Sequence, residues 1–288
     1  MRTLSRFVLA LLFFAAVAST VHAQDAERMV SDTVPLDANG TVSVDNHDGE
    51  IRITTWDRSE VSYEARIVHD EQDNIDQTKI RVQSSNGRVS IESDFDDVEN
   101  DGFWGGRSVP DVYYTLRVPR TASVEIDDHG SDLTIEGLQG DVDVDKHDGE
   151  IVLSDIDGDV EIDTHDSPIR LSNIAGAVEI DTHDGSVEAT GLQGPFEVDT
   201  HDGKIDAAFT SLNDGVEIDS HDARVILRLP AEAAFTLRTD MGDDARIDVE
   251  PEMNVESRDE GDLRATVNGG GPEIYVSSHD GSVTIRNQ

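Results

Sequence analysis

The sequence predicts an all-β protein wound as a parallel β-solenoid, and three observations carry that expectation. The phrase Val-Glu-Ile-Asp-Thr-His-Asp-Gly returns with a period of 18 residues, and a fixed period of this size marks stacked, near-identical turns of chain. Within each copy apolar and polar residues alternate strictly, the signature of a strand with one buried face. No segment beyond the N-terminal two dozen residues shows sustained helical periodicity.

Aligned on histidine, the copies are Val124 to Ser131, Val142 to Gly149, Val160 to Ser167, Val178 to Gly185 and Phe196 to Gly203, and Val216 to Ala223 follows after two extra residues. Outlying copies stand at Ser43 to Gly49 and Tyr275 to Gly281. In the coil from Val178 to Pro195, alternation places Val178, Ile180 and Thr182 inside and Glu179, Asp181 and His183 outside. Asp184-Gly185 is a turn signal. A second alternating run from Ser186 to Thr190 buries Val187 and Ala189, and Gly191-Leu192-Gln193-Gly194 closes the coil with an inward leucine. The same closing corner reads Gly137 to Gly140, Asp155 to Gly158 and Asn173 to Gly176. Positions that recur in register favour parallel stacking at about 4.8 Å over a row of hairpins. Five to seven coils then span about 25 to 35 Å.

The ends are less regular. Residues 24–121 read as a mainly antiparallel capping sheet, with alternating runs at Thr41 to Thr55, Glu60 to Val68, Lys79 to Glu92 and Val112 to Val118. Terminal units of a repeat must cover its open edge. Residues 122–288 hold the solenoid and an irregular C-terminal cap, continuous with the first region. In that cap the period decays through Phe235 to Leu237, and a polar, glycine-rich link at Gly261 to Gly271 precedes a last strand pair from Tyr275 to Arg286. The stretch from Asp94 to Pro110 resists a strand reading. Its Phe103-Trp104 pair either contacts a partner or folds back over an open apolar edge.

Composition bounds the function. Residues 1–23 read as a secretory signal, with Arg2 and Arg6, an apolar run from Phe7 to Ala18 and Val21-His22-Ala23 before Gln24. An exported protein in the periplasm or at the cell surface is therefore expected. No later segment reaches the roughly 18 apolar residues of a spanning helix. Loss of two arginines and no acid takes the formal charge from −40 to −42. Nucleic acid and anionic lipid are poor partners for such a surface, and cations or cationic surfaces are better ones. With no cysteine in the chain, lipobox anchoring, disulfides, thiolate metal sites and cysteine nucleophiles are all excluded. No feature of the sequence fixes an oligomeric state.

The order of an early strand ending Ile51-Arg52-Ile53-Thr54-Thr55-Trp56-Asp57, a middle Tyr114-Thr115-Leu116-Arg117-Val118-Pro119, repeated V-x-V-x-T-x-x-G coils and a closing Val225-Ile226-Leu227-Arg228-Leu229-Pro230 resembles the bacterial "putative adhesin" β-strand-repeat family, a domain of unknown function. The likeness covers nearly all of the chain after residue 23. It implies a right-handed β-solenoid of about 18-residue coils at the cell envelope, with no established catalysis and an envelope or cell-surface partner. One departure stands out. Family coils turn through small residues of the x-Ser-Gly kind, where this chain places His-Asp-Gly.

Stacking is expected to align His147, His165, His183, His201 and His221 in a file beside Asp148, Asp166, Asp184, Asp202 and Asp222. A second file, Asp145, Asp163, Asp181, Asp199 and Asp219, lies on the outer side of the preceding strand. Imidazole beside carboxylate suits Zn, Ni, Cu or Mn, and carboxylates alone suit Ca. The competing account is a turn built from good turn residues and copied by duplication. No HExxH, EF-hand loop or calcium-binding nonapeptide is present. Catalysis is not expected, because Ser167, Ser186 and Ser220 recur in equivalent repeats without a nucleophile elbow. Three classes follow: a non-enzymatic adhesin-like surface, a divalent-metal-binding protein using the His-Asp corner, and, least favoured, a polysaccharide-active solenoid enzyme.

Overall fold

The computed structural model describes residues 26–85, 87–98, 109–242, 245–259 and 262–288. Residues 1–23 and the Phe103-Trp104 pair lie outside the described residues. Two large sheets, of 12 and 13 strands, enclose one continuous apolar core. Each coil contributes one strand to either sheet. One sheet carries Gly49–Trp56, Asp132–Glu136, Ile151–Ile156, Ile169–Ile174, Val187–Leu192, Lys204–Phe209, Arg224–Leu229 and Ser282–Asn287 in spatial order. The other carries Thr41–Asp45, Ser123–Asp128, Val142–Lys146, Val160–Thr164, Val178–Thr182, Phe196–Thr200, Val216–Ser220 and Glu273–Ser278.

Pairing between successive coils is parallel and in register, with Asp163 opposite Asp181 and Asp181 opposite Asp199. Val178, Ile180 and Val187 are all within 2% of complete burial, as the alternation requires. Leu138, Ile156, Ile174 and Leu192 fill the closing corner. The two extra residues before Val216 are absorbed outside the strands of the second sheet: a one-residue register shift pairs Leu192 with Phe209, three residues are added between Phe209 and Val216, and the register of Phe196–Thr200 with Val216–Ser220 is undisturbed.

Two columns at the closing corner show how stacking dictates sequence. Gly137, Asp155, Asn173 and Gly191 all adopt positive φ, at 79°, 56°, 57° and 75°, a conformation open mainly to Gly, Asn and Asp. Asn173 Nδ2 also donates to Asp155 Oδ1 at 2.8 Å, linking coils across this column. Three residues on, a Cβ at Gly176 or Gly194 would lie 2.2 or 2.3 Å from the carbonyl oxygen of the glycine one coil earlier. Only hydrogen fits there.

Both ends of the stack are closed by the same device. The first coil in sequence, Thr41–Asp45 and Gly49–Trp56, is not outermost: Arg88–Asp94 and Asp111–Pro119 pair parallel outside it. The last coil, Glu273–Ser278 and Ser282–Asn287, is likewise covered by Phe235–Met241 and Arg246–Val249. Antiparallel strands finish the edges, with Glu60–His69, Ala26–Pro35 and Lys79–Ser85 at one end and Asp262–Val267 and Met253–Asp259 at the other. The capping region is therefore antiparallel outside and parallel where it joins the stack. Several segments differ from the sequence reading. The run from Lys79 to Glu92 is a hairpin, its strands Lys79–Ser85 and Arg88–Asp94 pairing antiparallel, with Gly87 at φ 77° between them. Gln72–Gln77 forms one short helix, too brief to leave a periodic signal. Asp262–Val267, within the stretch read as a polar link, is a strand.

Candidate functional site

The corner after each of the strands Val160–Thr164, Val178–Thr182, Phe196–Thr200 and Val216–Ser220 places an outward aspartate, an inward hydroxyl, an outward histidine and an outward aspartate in succession. Strand alternation fixes the first three, and the stacked backbone fixes the rest. The amides of His201 and Asp202 both donate to the His183 carbonyl, at 3.1 and 3.0 Å, and those of His221 and Asp222 to the His201 carbonyl. Hydrogen bonding of the sheet thus continues around the turn and pins each histidine one strand spacing from the next.

The imidazole rings stack as a result. Centroids of His147, His165, His183, His201 and His221 follow one another at 4.8 to 5.0 Å with interplanar angles of 1 to 3°. The file is longer than the sequence suggests. His129 stacks on His147 at 5.1 Å, His47 on His129 at 4.8 Å, and His279 on His221 at 5.2 Å, giving eight rings in one row. Phe95 meets His47 edge-on at 6.4 Å and ends the row.

Each histidine of the row except His129 points Nδ1 at the carboxylate that follows it. The distances are 3.1 Å to Asp148, 3.0 Å to Asp166, 3.1 Å to Asp184, 3.4 Å to Asp202 and 3.2 Å to Asp222. Asp48 and Asp280 do the same for His47 and His279 at 2.7 and 3.2 Å. At His129 the next residue is Gly130, where a Cβ would meet Asp48 Oδ1 at 2.5 Å. All ten residues expected at the site therefore lie along one edge, joined by His47, Asp48, His129, His279 and Asp280. His47, Asp48, His279 and Asp280 belong to the outlying copies and His129 to the first regular one, and their phase relative to the other histidines is the signal. Chain separation hid that the terminal coils enter the stack.

The side chains of the five central rings are 50 to 52% exposed, with Nδ1 turned to the following aspartate. Beneath the row runs a groove of about 480 Å³ whose other wall is Asp163, Asp181, Asp199 and Asp219. A second hollow of about 330 Å³ extends it past Asp145 toward Asn46. Partial burial, then the neighbouring Asp181 and Asp145, raises the Asp163 carboxyl above the ordinary aspartate value. Burial followed by Asp127 and Glu92 does the same to Asp45. The edge is thus a line of crowded negative charge faced by imidazole, suited to cations.

Of the three serines noted in the repeats, Ser186 is exposed and the other two are buried. Ser167 is fully buried and accepts from Thr164 Oγ1 at 2.6 Å, and Ser220 is 6% exposed. A feature the sequence reading missed lies at the head of the row. Lys146, in the inward phase where the next three coils carry Thr164, Thr182 and Thr200, approaches Asp128 at 3.7 Å with both side chains buried.

Fold and edge together define an all-β solenoid that displays one corner chemistry many times over. The chain belongs to the Toastrack DUF4097 family, whose model matches residues 33–286. Among solved structures it is similar to a "putative lipid binding protein" from Parabacteroides distasonis, at 10% identity over 89% of this chain and 96% of that one, with a TM-score of 0.50. It is also similar to a "putative cell adhesion protein" from Clostridium sporogenes (11% identity, 92% and 100% covered, TM-score 0.27) and a "putative adhesin" from Bacteroides fragilis (11%, 91% and 97%, TM-score 0.35). No functionally curated protein matches. Likeness at such identities speaks to the fold alone. Among the described residues, no helix is long and apolar enough to cross a membrane.

Proposed function

We propose that this chain is an exported, non-enzymatic, adhesin-like protein of the cell envelope, and that its working surface is the His-Asp edge. The observation that carries this reading is the repetition itself. The same outward histidine and aspartates recur coil after coil in register, and such an array suits a multivalent partner, whereas catalysis needs unlike groups converging once. The N-terminal signal motif and the adhesin names of similar structures point the same way. The acidity of the chain selects for cationic or cation-bridged partners over nucleic acid. Retention of fluorescently labelled protein on isolated envelope fractions tests the proposal. Saturable retention is expected, and it should be lost when His147, His165, His183, His201 and His221 are changed together to alanine. Retention no greater than that of an unrelated protein of equal negative charge, or unchanged in the five-alanine variant, would refute it.

A further inference from the structure

The spacing of the histidine row names a ligand class for the same edge, and so rests on the reading just given. Groups of three side chains bring one ligand atom each within 4.8 Å of one another: His47 with Asp48 and His129, His165 with Asp166 and His183, His183 with Asp184 and His201, and Asp202 with His221 and Asp222. Oδ1 of Asp202 is shielded from solvent and lacks a well-formed hydrogen bond, its imidazole neighbour His201 Nδ1 standing off at 3.4 Å, so it has capacity left for a cation. Three of the groups offer two nitrogens and a carboxylate and the fourth one nitrogen and two carboxylates; such sets with open positions suit a first-row divalent ion, whereas Ca²⁺ asks for about six to eight oxygens.

Geometry limits how such ions are held. Metal–nitrogen bonds of about 2.0 to 2.1 Å place two imidazole nitrogens about 3.4 Å apart on a tetrahedral ion, and about 4.2 Å at the very most. Neighbouring rings stand 4.8 to 5.2 Å apart, so a pair has to close by about 1 Å or more to share an ion. The backbone is pinned by the carbonyl ladder, and closure falls to the half-exposed side chains. A ring leaning toward one neighbour leans away from the other. His183 makes the conflict explicit, because it belongs to two of the ligand groups.

We propose that the edge binds Zn²⁺ or Ni²⁺ between paired histidines, in alternate gaps, so that the row of eight rings holds no more than four ions. The fullest arrangement pairs His47 with His129, His147 with His165, His183 with His201, and His221 with His279. The opposite phase holds three. Equilibrium dialysis of the full chain, purified without an added histidine tag, against Zn²⁺ near neutral pH counts the ions. Saturation at three or four per chain is expected. Two or fewer would overturn the row as a site, and more than four would overturn alternate filling.

His183→Ala sharpens the count, with circular dichroism to verify folding and His201→Ala as a second variant. Either substitution removes at most one ion if gaps alternate, and two if each gap binds independently. The two proposals fail separately. Envelope retention that survives a chelator, with no zinc bound, sinks the metal site alone. Zinc at three or four ions with no envelope retention sinks the envelope reading alone.

Discussion

The middle of the solenoid and the junction near its N-terminal end fill the same inward position, the residue before each histidine, with different chemistry. Central and later coils place Thr164, Thr182, Thr200, Ser220 and Ser278 there, all buried. Each hydroxyl is satisfied within the corner region, as when Thr164 donates to Ser167 Oγ at 2.6 Å or Thr200 to the Asp202 carbonyl at 2.8 Å. At the junction the column reads Asn46, Asp128, Lys146. Asn46 Nδ2 donates to Ser131 Oγ at 2.9 Å and its Oδ1 accepts from Ser93, which in turn meets the Tyr114 hydroxyl at 2.7 Å. Asp128 accepts from the Ser131 amide and hydroxyl, both at 2.7 Å, and Lys146 donates to the Ser131 carbonyl. A threonine corner can be copied indefinitely, but it cannot say which coil it belongs to. Sliding the stack by one coil returns every valine and isoleucine to the core, so apolar packing gives register little force. A buried ion pair adds little net stability and is best attested as a device for fixing register. The junction thus carries the coil-specific contacts that a register mark requires, and the coils carry the repeated ones.

That division can be broken at its strongest point first. Ile180→Asp puts a carboxylate with no cation beside it into a thin apolar interior, and should cost about 4 kcal/mol or more. Glu179→Ala, one residue away on the outer face, should change stability by about 0.5 kcal/mol or less. Urea unfolding of both variants compares them, and similar losses would mean that the coils do not carry the stability.

Lys146→Thr installs the central coil's residue at the junction and leaves Asp128 buried without its cation. A loss of about 3 to 5 kcal/mol is expected. Changing Asp128 and Lys146 together to threonine should recover most of it, because a buried pair exchanged for matched neutral residues is often close to neutral. Hydrogen exchange then separates stability from register. If the pair marks the origin, amides in strands Ser123–Asp128 and Val142–Lys146 of the double variant should exchange as two populations. A single population at wild-type protection would assign the origin to Asn46 and Ser93 instead.

Legibility in the sequence follows the same boundary. In the coils, one residue type at one phase determines one environment, so the inward Val178 and Ile180, the outward Asp163 and Asp181 and the corner Leu192 could all be placed from alternation and period. The histidine file was legible for the same reason. At the ends, placement depends on pairings between distant segments. Nothing local in Ser43 to Gly49 says that it stacks on Ser123–Asp128, or that Glu273–Ser278 enters between Val216–Ser220 and Phe235–Met241. Lys146 was readable in principle, as a cation at an inward phase, but its partner Asp128 belongs to the preceding coil and is recognised only once the stack exists. The Asn86-Gly87 dipeptide is a strong turn signal in the sequence, concealed by the alternation that continues on both sides of it.

The smallest expected effect separates the two regions by pH and salt. On the outer wall, burial and then Glu161 and Glu125 raise the Asp143 carboxyl, as burial, Asp181 and Asp145 raise Asp163. A folded value raised above the unfolded one, about 3.9, gives stability that is fully present below the unfolded value and lost as pH rises through the folded one. Metal-free protein should therefore gain stability as pH is lowered from neutral toward about 4. Asp97, held low by Lys79, opposes this as a single exposed pair. At the junction burial depresses the Lys146 ammonium, against the pull of Asp128. Its contribution has the other sign, present above the unfolded value near 10.4 and lost as pH falls through the folded one. Salt tells the two apart, since a Debye length of about 3 Å at 1 M screens the exposed carboxylates and leaves a buried pair nearly untouched. Urea midpoints with chelator, at acid, neutral and alkaline pH and at low and high salt, read both arms. The acid-side gain should shrink in high salt and in Asp143→Asn/Asp163→Asn, and the alkaline-side gain should persist in salt and vanish in Asp128→Thr/Lys146→Thr. An acid arm insensitive to salt would place its origin in the buried cluster and erase the electrostatic difference between coil and junction.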